Sequence, residues 1–159
     1  MDAAPTTEPS LIDTDEVTTA VVHGVVPMAE IVAFFDSSFS EVAAALADQG
    51  IAPAGPAFAR YAGPPGATAD LEVGFPTHDP VSPHGEVRPG SLPAARVART
   101  VHAGGFDGLG EAWASLGAWI DAQGLTPGPD LWEVYVTEPT PDMDPADLRT
   151  ELSWTVRSA

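Results

Sequence analysis

The feature that most constrains this chain is an internal duplication. Residues 49–61, QGIAPAGPAFARY, return without a gap as residues 123–135, QGLTPGPDLWEVY, with Gln, Gly, Pro and Tyr in the same places. Apolar positions agree as well, since Ile51 answers Leu125 and Phe58 answers Trp132. The segments ahead of them match at the same offset: Phe35, Phe39, Val42 and Leu46 pair with Leu109, Trp113, Leu116 and Ile120. Steps of four, three and four residues put each set on one face of a helix, the pattern of a helix lying against a core. Each predicted helix ends at a glycine, Gly50 or Gly124. Glycine takes the left-handed conformation that closes a helix, and the proline three residues on keeps the helix from resuming.

A β-branched or alternating run precedes each helix, 17–26 and 94–102. Two more follow it, 57–61 with 70–75 and 131–137 with 151–156. The unit reads strand, helix, strand, strand. Two such units side by side predict an α+β fold, a mostly antiparallel sheet carrying two long helices. A length of 159 residues suits one hydrophobic core. We expect a single domain over residues 14–157, with a first repeat of about 14–77, a second of about 92–157, and a disordered acidic tail over 1–13. Between the repeats, PTHDPVSPHGEVRPGS (76–91) reads as too rigid and polar to be an element, so 78–91 is expected to be linker. The second copy carries the longer loop, Glu138 to Pro145 against Ala62 to Thr68.

Charge narrows the partners. All six basic residues are Arg, Lys is absent, and the formal net charge is −17. Such a field repels a phosphate backbone, so no nucleic-acid partner is expected, and it favours cationic ligands. The chain has no Cys, which excludes disulfides and thiolate metal sites and fits a cytoplasmic protein. Residues 1–13 lack the positive and apolar regions of a secretory leader, and no apolar run approaches the ~18 residues of a membrane span. His23, His78, His84 and His102 are scattered along the chain, so no metal is expected. Asp142, Asp144 and Asp147 lack the Gly and Glu of a calcium loop, so the run reads either as helix N-capping by Asp144 or as a plain solvated loop. No Walker loop, nucleophile elbow or dinucleotide fingerprint occurs, and no cofactor is expected. The four Trp read first as core; Trp154, alternating with Leu152 and Val156, could face either the helices or a ligand.

The copies differ where chemistry would begin. Ala59 of the first becomes Glu133 of the second, inside the apolar run Leu131 to Tyr135. Strand alternation puts Leu131, Glu133 and Tyr135 on one face, with Trp132 and Val134 on the other. A carboxylate among apolar and aromatic groups must be paired, raise its pKa, or meet water or a ligand. The bland alternative is a Glu133 that points to solvent from an exposed face.

The string VHAGGFDGLGEAWASLGAWIDAQGL (101–125), with WEVY at 132–135 and TEL at 150–152, resembles the GyrI-like small-molecule-binding family. The resemblance covers roughly Glu16 to Val156. That family includes the effector-binding domains of multidrug-sensing regulators and of some AraC-type activators, and its fold is a duplicated strand-helix-strand-strand unit around a ligand pocket. The resemblance implies that Glu133 is the acidic group meeting lipophilic cations or performing hydrolysis, and that Tyr135 lines the pocket beside it. Tyr61 is the symmetry-related candidate, followed by Leu131 and Trp154. Unlike the regulators, the sequence offers only about a dozen polar residues before its first strand, too few for a helix-turn-helix, which points to a stand-alone member.

Two functions fit. One is a binder of hydrophobic, preferentially cationic aromatic compounds, with Glu133 as counter-charge and aromatic faces adding cation–π attraction of roughly 0.5–2 kcal/mol each. The other, implied by hydrolases of the same family, opens the cyclopropane of DNA-alkylating compounds, with Glu133 as general base and Tyr135 or Tyr61 polarising a carbonyl. A third reading, an acidic module holding a basic protein, uses the surface rather than the pocket. Ligand identity and oligomeric state are not written in the sequence.

Overall fold

The computed structural model describes residues 8–63, 66–105, 108–137 and 142–158. The first seven residues of the expected tail and the tip of the Glu138 to Pro145 loop lie outside these. Strands β1 (Ser10–Thr14) and β2 (Val17–Pro27) lead into helix α1 (Ile31–Asp48). Strands β3 (Phe58–Ala62), β4 (Thr68–Pro76), β5 (Val87–Leu92) and β6 (Ala95–Ala103) follow, then helix α2 (Leu109–Ala122) and strands β7 (Leu125–Tyr135) and β8 (Arg149–Ser158). All the pairings are antiparallel and build one eight-stranded sheet in the order β1-β6-β8-β7-β3-β4-β2-β5. With its two helices this is the expected α+β fold. Both helices stop where the sequence says they must, at Gly50 (φ 68°) and Gly124 (φ 75°).

The two helices pack on the same face of the sheet. Val42, Ala45 and Leu46 of α1 close over Ala20 and Val22, while Leu116 and Ile120 of α2 close over Ala98, Leu152 and Val156. Between these clusters lies a third, built from Ala59, Tyr61, Leu71, Val73 and Leu131. The opposite face has its own buried patch, where Val21, Phe58, Leu92, Val97 and Trp132 meet. Trp132 is therefore core, as expected, but on the side away from the helices.

The structure corrects two boundaries. Residues 10–13, read as tail, belong to β1, and residues 87–91, read as linker, belong to β5. The repeating unit thus has five elements, strand, strand, helix, strand, strand. The extra strand of each copy leaves its own unit: β1 pairs with β6 of the second repeat, and β5 pairs with β2 of the first. The Thr14 hydroxyl fastens the exchange by donating to the carbonyls of Pro93 (3.0 Å) and Ala95 (3.1 Å). Both added strands are sheet edges, which is why Pro89 is tolerated in β5: an edge strand has an outer side that needs no donor. Asp144 caps a short 3-10 turn, accepting from the Ala146 N–H at 3.0 Å, the first of the two readings its sequence allows.

Candidate functional site

β3 and β7 lie side by side at the middle of the sheet, and their register sets Ala59 directly opposite Glu133. These are the two positions that the duplication equates. Phe58 faces Val134 and Arg60 faces Trp132, so an approximate twofold axis passes between the strands at this pair. A residue on such an axis faces its own copy. Two glutamates there would hold two carboxylates on Cβ atoms about 5 Å apart in a buried setting, where like charges cannot both stay ionised. One charge at the centre therefore requires that the symmetry break, and Ala59 opposite Glu133 is that break.

Glu133 is 4% exposed. Its Oε2 accepts from the Tyr135 hydroxyl at 2.6 Å, and its Oε1 accepts from the Trp113 indole N–H at 3.0 Å. Burial pushes its carboxyl above the usual range, while the Tyr135 bond, the Trp113 bond and the nearby His102 pull the other way, favouring the anion. Burial and then the Glu133 charge push the phenols of Tyr61 and Tyr135 up in turn. No Arg forms an ion pair with Glu133 among the described residues; the Arg pairs go to Asp13, Glu72, Asp130 and Glu151.

The surroundings follow from the sheet register. Tyr61, Leu131 and Trp154 form one row across β3, β7 and β8; Ala59, Glu133 and Leu152 form the next. Tyr135, Thr150 and His102 form a third across β7, β8 and β6. Over these rows α1 lays Phe35 and Phe39, whose rings meet Tyr135 edge-on at 6.4 and 6.2 Å. From α2, Trp113 meets Trp154 edge-on at 5.8 Å. Gly117 makes room for this pair, since a Cβ there would stand 3.2 Å from the Trp154 ring. The Trp154 indole donates to the Gly128 carbonyl at 3.0 Å, which fixes the ring on the helix face.

All five residues singled out in the sequence, Glu133, Tyr135, Tyr61, Leu131 and Trp154, thus share one face beneath both helices. Sequence reasoning missed Trp113, which it assigned to packing, together with Phe35, Phe39 and His102. For Trp113 a signal existed: it stands where the first copy has Phe39, and only the indole brings a donor. His102 carried no local signal, because its place beside the site arises from three strands lying in register. Two surface depressions, about 200 Å³ around His23, Arg60, Asp70 and Asp130 and about 250 Å³ around Trp132, Arg99 and Leu92, lie toward the other face and do not include Glu133.

The site is thus an α+β sheet whose two helices close aromatic groups around one buried carboxylate. The family follows from sequence: residues 7–157 match the GyrI-like small molecule binding domain, and the chain belongs to that family. No curated protein sequence matches significantly. Among solved structures, the EcmrR C-terminal domain superposes with a TM-score of 0.84 at 18% identity, covering 96% of this chain and 98% of that one. Within the EcmrR–DNA complex the chain spans 59% of EcmrR, with a TM-score of 0.83 and 17% identity over 98% of its own length. SAV2435 bound to tetraphenylphosphonium gives 0.70 at 13% identity, covering 95% and 94% of the two chains. A hydrolase from Listeria innocua gives 0.64 at 13% identity, covering 97% and 94%. At these identities the likeness is one of fold. No helix among the described residues is long and apolar enough to cross a membrane.

Proposed function

We propose that this domain captures hydrophobic, preferentially cationic aromatic molecules between α1 and α2, with Glu133 as the counter-charge. One observation carries the reading: a carboxylate buried to 4% exposure is held by two neutral donors and by no arginine among the described residues. Such a group is oriented but not neutralised. A ligand cation over it recovers Coulomb energy that water cannot supply in a low-dielectric site. Phe35, Phe39, Tyr61 and Trp154 provide ring faces for the rest of such a molecule, and the net charge of −17 concentrates cations around the domain. That SAV2435 has been captured with a phosphonium agrees with this chemistry.

The test is selective loss. Glu133→Gln keeps the shape and removes the charge, so the affinity for tetraphenylphosphonium should fall about tenfold or more, while a neutral aromatic of similar shape keeps its affinity to within about twofold. Equal losses for both, followed by calorimetry, would sink the counter-charge role.

A second reading has one observation in its favour. A carboxyl whose pKa burial has raised, 2.6 Å from a phenol, is also a general base. On that reading Glu133 takes a proton from water, the oxygen attacks an activated cyclopropane carbon, and the breaking C–C bond delivers its electrons to a conjugated carbonyl that Tyr135 or Tyr61 polarises. The product gains the mass of one water. Mass spectrometry of wild type and Glu133→Gln with a cyclopropane-bearing substrate decides it: turnover lost in the variant establishes hydrolysis. The binding reading is favoured because both carboxylate oxygens already accept hydrogen bonds, from Trp113 and Tyr135, which occupies the lone pairs a general base would turn to water.

A further inference from the structure

The third row of the site, Tyr135, Thr150 and His102, ends in polar atoms that neither the binding nor the hydrolytic reading uses. His102 is 8% exposed, and its Nε2 lies 3.0 Å from the Gly105 carbonyl. A carbonyl only accepts, so the proton of the neutral ring sits on Nε2 and Nδ1 presents a bare lone pair. That Nδ1 is buried and meets no partner among the described residues. Neither does the hydroxyl of Thr150, a fully buried residue directly across the sheet from His102 on one side and from Tyr135 on the other. This row lies next to that of Glu133 on the same face of the sheet, two residues along β7 and β8. Gly104 and Gly108 wrap the far side of the imidazole, where a Cβ at Gly108 would stand 3.0 Å from its Cε1. The glycine loop therefore holds the ring in place.

Two buried acceptors without a partner among the described residues, an imidazole lone pair and a hydroxyl oxygen, now stand on the strands next to the carboxylate. Buried acceptors left unmatched are costly, so the niche selects for donors. We infer that His102 and Thr150 form a hydrogen-bond subsite beside Glu133, and that the preferred ligand is an aromatic molecule bearing a protonated amine with N–H groups rather than a quaternary cation. The inference rests on the proposed counter-charge role of Glu133 and refines it. A quaternary ammonium or phosphonium satisfies the charge but brings no donor to His102 and Thr150. An ammonium carries both the charge for Glu133 and N–H donors for the two acceptors beside it.

A matched pair of probes tests this: naphthylmethylammonium and its N,N,N-trimethyl derivative, titrated by calorimetry at pH 7 into wild type, Thr150→Val and His102→Phe. Thr150→Val is isosteric, and His102→Phe keeps a ring in the glycine loop, so at least one variant should fold; thermal melting checks both. The wild type is expected to prefer the primary ammonium about tenfold, the equivalent of one well-made hydrogen bond. Each variant should lose that preference, and Thr150→Val should hold the trimethyl probe as before. Equal wild-type affinities, or a loss shared by both probes in Thr150→Val, overturns the subsite and leaves the Glu133 reading standing. Failure of the wild type to bind either probe overturns the counter-charge reading itself, and the subsite with it.

Discussion

In the first repeat α1 brings Phe39 to the cluster that holds Ala59 and Tyr61; in the second, the corresponding residue of α2, Trp113, donates to Glu133, which also accepts from Tyr135. The backbones and the tyrosines correspond, and the two differences act together. An alanine has become a carboxylate, and the residue above it has exchanged a phenyl ring for an indole that donates to that carboxylate. Neither change is sensible alone, because a buried carboxylate without the indole lacks one of its two donors, and a buried indole N–H without the carboxylate lacks an acceptor. The lesson is that a duplicated fold acquires a single central charge only by dismantling its own symmetry at the axis.

The largest effect should come from restoring the symmetry. Ala59→Glu places a second carboxylate opposite Glu133, and the first repeat has a phenyl ring, Phe39, where the second has the donating indole of Trp113. We expect a loss of about 3–5 kcal/mol of stability at pH 8, shrinking as the pH falls, whereas the neutral Ala59→Gln loses less. Denaturant titration of the two variants checks this, and an Ala59→Glu protein as stable as Ala59→Gln at pH 8 would disprove the axis account. Next, Trp113→Phe gives the second repeat the residue of the first. Losing one donor to a buried carboxylate should cost about 1–3 kcal/mol, and Phe39→Trp in the first repeat should not compensate.

The tyrosines sharpen the comparison further. Tyr135→Phe should cost about 1–2 kcal/mol because it removes a bond to Glu133, and Tyr61→Phe, which leaves Glu133 with both of its donors, should cost less. Chemical denaturation of the pair would break the comparison if the order were reversed. These are the only two tyrosines in the chain, and both phenols are pushed above their ordinary value of 10.0. Ultraviolet titration should therefore show no phenolate near pH 10 in the folded protein and both groups ionising together on alkaline unfolding.

The smallest effect concerns pH and stability. The folded pKa of Glu133 is raised above 4.5, so the folded state holds its proton more tightly than the unfolded state. Its contribution is fully present below about pH 4.5 and is lost as the pH rises through the folded value. Wild type minus Glu133→Gln, compared by melting temperature across that window, should become less favourable as the pH rises. A flat difference would mean that the carboxyl titrates normally.

Much of this was legible in residue order. The helical stripes, the glycine stops and the strand alternation that puts Leu131, Glu133 and Tyr135 on one face are local consequences of side-chain size and backbone freedom, and they need no partner. Membership of the family was legible as well, from several short strings occurring in order. The edge strands were not: β1 and β5 are strands because each finds a partner in the other repeat, and Pro89 and Gly90 disguise the second of them. Trp113 as a donor to Glu133 was half visible, as a mismatch with Phe39 whose meaning depended on where the two helices lie.

By itself, then, the sequence determined the repeated unit, the helix ends and the odd carboxylate, because these follow from periodicity and from the conformations that glycine and proline allow. Only the tertiary structure decided that Ala59 and Glu133 face each other, that Trp113 reaches the carboxylate, and that His102 and Thr150 line up with Tyr135 in the row beside it. Those facts depend on strand register and helix placement, which are set by contacts between residues far apart in the chain.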